Sequence, residues 1–197
     1  MQIFEADWTD TTDWLLGPGW KVGIGSEMLI CDGSVKTRSD AKLLRDINLT
    51  TDYAVEADVA SLGGGNFAQF GLFVRRGESG GYWAGHDEFA AMIGEVWFIA
   101  PDDDEFDPAS LRWHGTATYP IATSLFESET TAFEDLLDNE FHMFRLEVRG
   151  TAIRLHRDGD VLVAAHDARF RAPGSVGLYS AEFHQIAVRG FRVIALP

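Results

Sequence analysis

FHMFRLEVRGTAIRLHRDGDVLVAAHD, residues 141–167, spells out a three-stranded antiparallel meander. Residues 141–149 set Phe144, Leu146 and Val148 against Arg145, Glu147 and Arg149. Alternation with a period of two marks a strand with one buried face. Arg149-Gly150 is a turn candidate, and Ile153 and Leu155 then alternate with Arg154 and His156. Asp158-Gly159 is a strong hairpin signal, because both central residues of a type I′ turn need positive φ. The return strand is DVLVAAHD. The segment is all scaffold, with no nucleophile, phosphate loop or metal motif.

Similar strands lie on either side. DYAVEADVASL places Tyr53, Val55, Ala57 and Val59 against Glu56 and Asp58. FAQFGLFVRR is apolar on both parities, which predicts a central strand covered on both faces. SVGLYSA and HQIAVRGFRVIAL close the chain. In the latter, Ile186 and Val188 share one parity, and Phe191 and Val193 the other. One extra residue near Arg189-Gly190 would bring all four to one face, so a β-bulge is expected there. Helix signals are sparse: TTAFEDLLDNEF (130–141) could form one or two turns. APDDDEFDPAS (100–110) and ESETTAFEDLLDNE (127–140) read as long acidic loops. Many short strands with Gly-rich turns predict one β-sandwich domain spanning 1–197.

Composition narrows the function. Of 197 residues, 46% are hydrophobic, enough to bury a sizeable core. The formal net charge of −15 repels phosphate backbones and anionic bilayers, which disfavours nucleic-acid binding and membrane docking. It suits neutral ligands such as sugars, or cations. Cys31 is the one cysteine, so no internal disulfide can form, and its apolar setting reads as a buried small hydrophobe. MQIFEADWTD lacks the basic and apolar regions of a signal peptide, and no apolar run approaches the ~20 residues of a membrane span. The expectation is a cytoplasmic protein, or one built into an intracellularly assembled particle.

Taken in order, these segments resemble the concanavalin A-like (laminin G-like) jelly-roll superfamily. That group includes bacterial sugar-binding modules and the keto-disaccharide hydrolase-like domain. The opening WLLGPGWKVGIGSEMLIC carries the resemblance with Trp14, Trp20 and Leu29. So do the GLFVRR strand with the following Tyr82, the quoted meander, and GSVGLYSAEFHQIAVRGFRV. The resemblance implies an all-β jelly-roll sandwich of two antiparallel sheets, with at most one short helix. It also makes glycan binding or glycoside hydrolysis the functional classes to weigh, since one fold hosts both.

Retaining glycosidases of this superfamily resemble a strand motif E-x-D-x-x-E, which pairs a nucleophile with an acid. EADWTD and EADVAS start that way but lack the closing Glu. Glu88 and Glu95 are seven apart, so on one unbroken strand they face opposite ways; only cross-strand pairing would join two carboxylates. The reading is therefore noncatalytic, with glycoside hydrolase as the enzymatic alternative.

Sugar binding needs aromatic faces with polar rims. Tyr82, Trp83, His86 and Asp87 in GGYWAGHDEF, with Trp97, Arg112, Trp113 and His114, are the candidate ligand-binding residues. Each aromatic has a core-filling alternative, and Trp8 and Trp14 could cover a sheet edge. The carboxylate run 102–107 could hold Ca²⁺, with Asp102, Asp104 and Asp107 as ligands, although Asp107 stands where an EF-hand-like loop needs glycine. The six histidines lack zinc spacing, and no G-x-S-x-G elbow or phosphate loop is present. The expectation is a noncatalytic, lectin-like carbohydrate-binding module, weak per site and displayed in several copies. The alternative is a structural or interaction subunit of a larger assembly, with a protein partner or homo-oligomer in place of the sugar.

Overall fold

The computed structural model describes residues 1–97, 126–127 and 138–197, apart from 24, 26, 35–37, 46, 48–50, 65–68, 78–79, 88–89 and 182. For 87, 90–97 and 126–127 it describes backbone only. In chain order the strands are β1 (Gln2–Glu5), β2 (Trp14–Leu16), β3 (Trp20–Val22), β4 (Leu29–Asp32) and β5 (Ser39–Leu43). Then come β6 (Tyr53–Gly63), β7 (Gln69–Arg76), β8 (Gly80–Asp87), β9 (Ala90–Trp97) and β10 (Phe126–Glu127). The last five are β11 (Phe141–Arg149), β12 (Ala152–Arg157), β13 (Asp160–His166), β14 (Ser175–Ala181) and β15 (Gln185–Ala195).

Two antiparallel sheets stack as a jelly-roll sandwich. One runs β13-β12-β11-β6-β15-β4-β3, with β1 also on β15. The other runs β10-β9-β8-β7-β14-β5-β2. No helix occurs among the described residues; of the 130–141 stretch expected to form helical turns, 130–137 lie outside them, 138–140 are non-helical and Phe141 opens β11.

The meander folds as its alternation dictates. Phe144, Leu146, Val148, Ile153 and Leu155 all enter the core. Asp158 and Gly159 have φ of 51° and 95°, and Gly150 has φ of 56°, so both turns use the left-handed backbone. The turn is pinned where the Met143 N–H donates to Asp158 Oδ1 at 2.9 Å. The expected bulge is present: the β15–β6 register shifts between Val188 and Gly190. That shift brings Ile186, Val188, Phe191 and Val193 into one core.

Trp8 and Trp14 pack into this core rather than capping an edge. Their rings lie 4.9 Å apart, and Trp14 meets Phe191 edge-on at 4.9 Å. They fill the seam between the short strands β1 and β2, one from each sheet. Cys31 is buried, and burial pushes its thiol pKa up, so it packs as a small hydrophobe.

One buried arginine organises the loops at an end of the sandwich. Arg75, with φ of 52°, donates its own N–H to the Tyr53 hydroxyl at 2.9 Å. Its guanidinium donates to the carbonyls of Gly150 (2.9 Å), Phe170 (3.2 Å) and Thr51 (2.7 Å). Three separate connections thus find one donor set.

Candidate functional site on the outer face of the seven-stranded sheet

Strand parity sends Phe70, Leu72, Val74, Tyr82, Ala84, Val176, Leu178, Ala41 and Leu43 inward. The opposite parity builds the outer face. Register aligns Leu15, Lys42, Gly177, Phe73 and Trp83 as one row across β2, β5, β14, β7 and β8. The next row is Asp40, Tyr179, Gly71 and Gly85.

Glycine shapes this face. A Cβ on Gly71 would lie 2.3 Å from the Ala84 carbonyl oxygen, and one on Gly85 would lie 2.1 Å from that of Phe70. The two glycines face each other across β7 and β8 and leave bare backbone. A Cβ on Gly177 would meet the Phe73 ring at 2.6 Å, so that ring lies down over the glycine.

Charge is laid over the rings. The Arg38 guanidinium sits 4.3 Å from the Tyr179 centroid, and that of Arg76 sits 4.9 Å from Phe73. Both reach Asp40: Arg38 Nε donates to Oδ1 at 2.8 Å, and Arg76 donates to Oδ2. Trp83 meets Tyr179 edge-on at 5.5 Å. Asp40, Phe73, Trp83 and Tyr179 are buried, with Phe73 at 1% and Trp83 at 6% exposure, and the Arg38 and Arg76 side chains are largely covered, at 9% and 11% exposure. Burial lowers the Arg76 pKa, with Asp40 opposing the shift. Lys42, half-buried beside them, is lowered by burial and then by the Arg76 charge.

The sequence-derived candidates separate on this frame. Trp83 belongs to the outer face, but its ring is covered rather than open. Tyr82 and His86 are buried on the inward side of β8, because the same alternation that sends Trp83 outward turns them inward. Tyr82 is 1% exposed and donates its hydroxyl to Asp167 at 2.5 Å while accepting from the Phe170 N–H at 3.1 Å. Burial, helped by the bond to Asp167, pushes its pKa up to about 12. His86 stacks on Phe70, which also stacks on His184.

Asp87 closes β8 opposite Gln69, and Trp97 closes β9 opposite Gly80. Arg112, Trp113 and His114 lie outside the described residues, as do Glu88 and the calcium candidates Asp102, Asp104 and Asp107. Among the described residues no group of three or more His, Cys, Asp or Glu is placed to hold a metal.

Sequence reading passed over Arg38, Asp40, Lys42, Phe73, Arg76 and Tyr179. A signal was there: Gly71/Phe73, Gly81/Trp83/Gly85 and Gly177/Tyr179 each alternate glycine with a large ring on the parity facing away from the core.

Ser61 and His184 form a second polar pair, inside the sandwich. Ser61 Oγ lies 2.9 Å from His184 Nε2, the spacing of a nucleophile and base. His184 Nδ1 lies 3.3 Å from the Gly64 carbonyl oxygen, which accepts its proton and leaves Nε2 to accept from Ser61. Both side chains are buried, and burial lowers the His184 pKa, so the pair satisfies polar atoms inside the sandwich.

Among solved structures, the chain is similar to the carbohydrate binding module CBM66 from Bacillus subtilis (17% identity, TM-score 0.65, covering 93% of this chain and 96% of that one). It is also similar to the metal-free Emp46p carbohydrate recognition domain (12%, 0.61, 93% and 88%). SCLam, a non-specific endo-beta-1,3(4)-glucanase from family GH16, is a further neighbour (10%, 0.62, 98% and 90%). No family model and no curated protein matches the sequence. The fold is that of the concanavalin A-like jelly rolls.

Proposed function

We propose that this chain is a noncatalytic carbohydrate-binding module that engages its ligand at the outer face of the seven-stranded sheet. The observation that carries the reading is the Arg38–Asp40–Arg76 cluster, buried over Phe73 and Tyr179 on a face that the hydrophobic core does not use. A buried ion cluster is often no more stabilising than apolar residues of the same volume. The fold therefore has no need of one there, and a binding role accounts for it. Rings beneath the guanidiniums fix their planes, and fixed forks of donors suit sugar hydroxyls.

Two of the similar structures are a carbohydrate binding module and a carbohydrate recognition domain, which supports the reading. Hydrolysis would need two working carboxylates, and Asp40 is already held by two arginines. One aromatic or hydrogen-bond contact contributes roughly 1 kcal/mol, so a single site is weak and gains from display in several copies.

A glycan array with the wild type and Arg38→Lys tests this. The substitution keeps the charge and removes the planar fork. Retention of a glycan by the wild type, lowered several-fold in the variant at unchanged melting temperature, is the expected result. A wild type that retains no glycan but pulls down a protein partner gives the site to assembly instead. Release of reducing ends from a bound glycan makes the protein a hydrolase.

A further inference from the structure

Along β11 the inward parity runs Val148, Leu146, Phe144 and then His142. The first three are core residues, and the register partner of His142 on β6 is the buried Val59. His142 therefore stands where the core runs out at one end of the sandwich, with its side chain 17% exposed. Both ring nitrogens face carboxylates. Nδ1 lies 2.6 Å from Asp158 Oδ2 in the β12–β13 turn, and Nε2 lies 2.8 Å from Asp138 Oδ2 in the chain entering β11. A cation reaches the same place from the end of β12: Arg157 Nη2 lies 2.9 Å from Nε2. Among the described residues, Asp138, Asp158 and Arg157 are the charged groups set against the ring.

Nε2 cannot serve both of its partners. A carboxylate needs a proton on that nitrogen, whereas a guanidinium needs its lone pair. With Nδ1 donating to Asp158, an imidazolium takes Asp138 and a neutral ring takes Arg157. The local charges follow. Two carboxylates face two cations when the ring is protonated, and only the guanidinium once it is neutral.

We infer that His142 is a pH-operated clasp, which ties Asp138 to the β12–β13 turn when its ring is protonated and exchanges Asp138 for Arg157 when the ring is neutral. The clasp acts on the backbone as well. Asp138 Oδ1 accepts from the Glu140 N–H at 2.8 Å, and Asn139 between them has φ of 62°. Residues 138–140 thus form a tight turn whose closing bond depends on where the Asp138 carboxylate is held. Asp158 keeps the ring in both states, so Asp138 is the jaw that moves. Arg157 is not stranded when the ring is charged, because its guanidinium nitrogens lie 3.8 Å from Asp138 Oδ2 and 3.7 Å from Asp158 Oδ2. The device is independent of the carbohydrate-binding reading.

Magnetic resonance of the whole chain between pH 5 and 8, the range in which an imidazole changes charge, tests it. The ring-nitrogen signals of His142 should show both nitrogens protonated at the acid end and a proton on Nδ1 alone at the other. Over the same range, exchange of the Glu140 amide with water, corrected for the intrinsic effect of pH, should quicken about tenfold, the loss of one charge-assisted bond. His142→Gln should make that exchange independent of pH. Asp138→Asn should do the same while leaving the ring titration in place. A neutral ring with its proton on Nε2 overturns the inference. So does a Glu140 amide whose corrected exchange is flat with pH in the wild type, or still varies in Asp138→Asn. If either variant fails to fold, the two wild-type measurements decide alone.

Discussion

The two outer faces of the sandwich handle charge in opposite ways. On the eight-stranded sheet, Glu56 accepts from Arg145 and Arg192, Glu147 from Arg145, and Asp58 from Arg189. Arg192 and Arg189 stay 43% and 59% exposed, so their heads remain in water. On the seven-stranded sheet, Arg38 and Arg76 are 9% and 11% exposed and lie on aromatic rings. The first face gathers its partly exposed arginine heads around a buried Glu56, and Arg189 lies 4.5 Å from the Phe141 centroid. The second has exchanged side chains for glycines and water for rings. That exchange fixes the charges in place, which a ligand site needs and a solvated surface does not.

The largest expected difference comes from removing the central acid on each face. Asp40→Ala takes a shared carboxylate from two buried guanidiniums and should cost about 3–5 kcal/mol in denaturant unfolding. Glu56→Ala should cost roughly 1–2 kcal/mol, because its arginines can turn to water. Equal costs would break the comparison.

Glycines sharpen it next. Gly71→Ala drives a Cβ into the backbone of β8 and should cost about 1–3 kcal/mol. On the other sheet, Gly190 has only Asp58 Cβ within reach, at 3.9 Å, so Gly190→Ala should melt within a degree or two of wild type. A tolerated Gly71→Ala would show that the bare backbone of β7 and β8 is incidental.

The smallest effect is a control on the inward side of β8. Tyr82→Phe loses the bond to Asp167 and should cost about 1 kcal/mol at neutral pH. The folded pKa of Tyr82 is raised to about 12 from an ordinary value of 10.0. Its contribution is therefore full below about pH 10 and is lost as pH rises toward 12. The wild type should lose melting temperature across that window more steeply than Tyr82→Phe. Parallel curves would mean that the hydroxyl is not the group responsible. Glycan retention by Tyr82→Phe should match the wild type, which assigns binding to the outer face.

Legibility followed sequence distance. The meander 141–167, the Asp158-Gly159 turn and the bulge near Gly190 were readable because each is encoded within one or two strands. Alternation and turn chemistry act over a few residues. The outer-face cluster was not readable in this way. Asp40, Phe73, Trp83 and Tyr179 sit on four strands whose neighbours are set by long-range pairing. Their glycine-and-ring alternation was visible, but sequence could not say that three such patterns share one sheet. Tyr82 and Trp83 are adjacent in sequence and group together in a linear reading, whereas in a strand adjacency means opposite faces.

Arg75 has a further consequence, for how the molecule opens. Its guanidinium ties together Thr51 at the entry to β6, the Gly150 turn and the segment through Phe170. None of these connections can lift away alone without stranding a buried cation. Amide exchange in all three should then report one shared opening free energy, above that expected of independent loops. A single side chain thus makes three distant pieces of surface chain behave as one unit in the native ensemble.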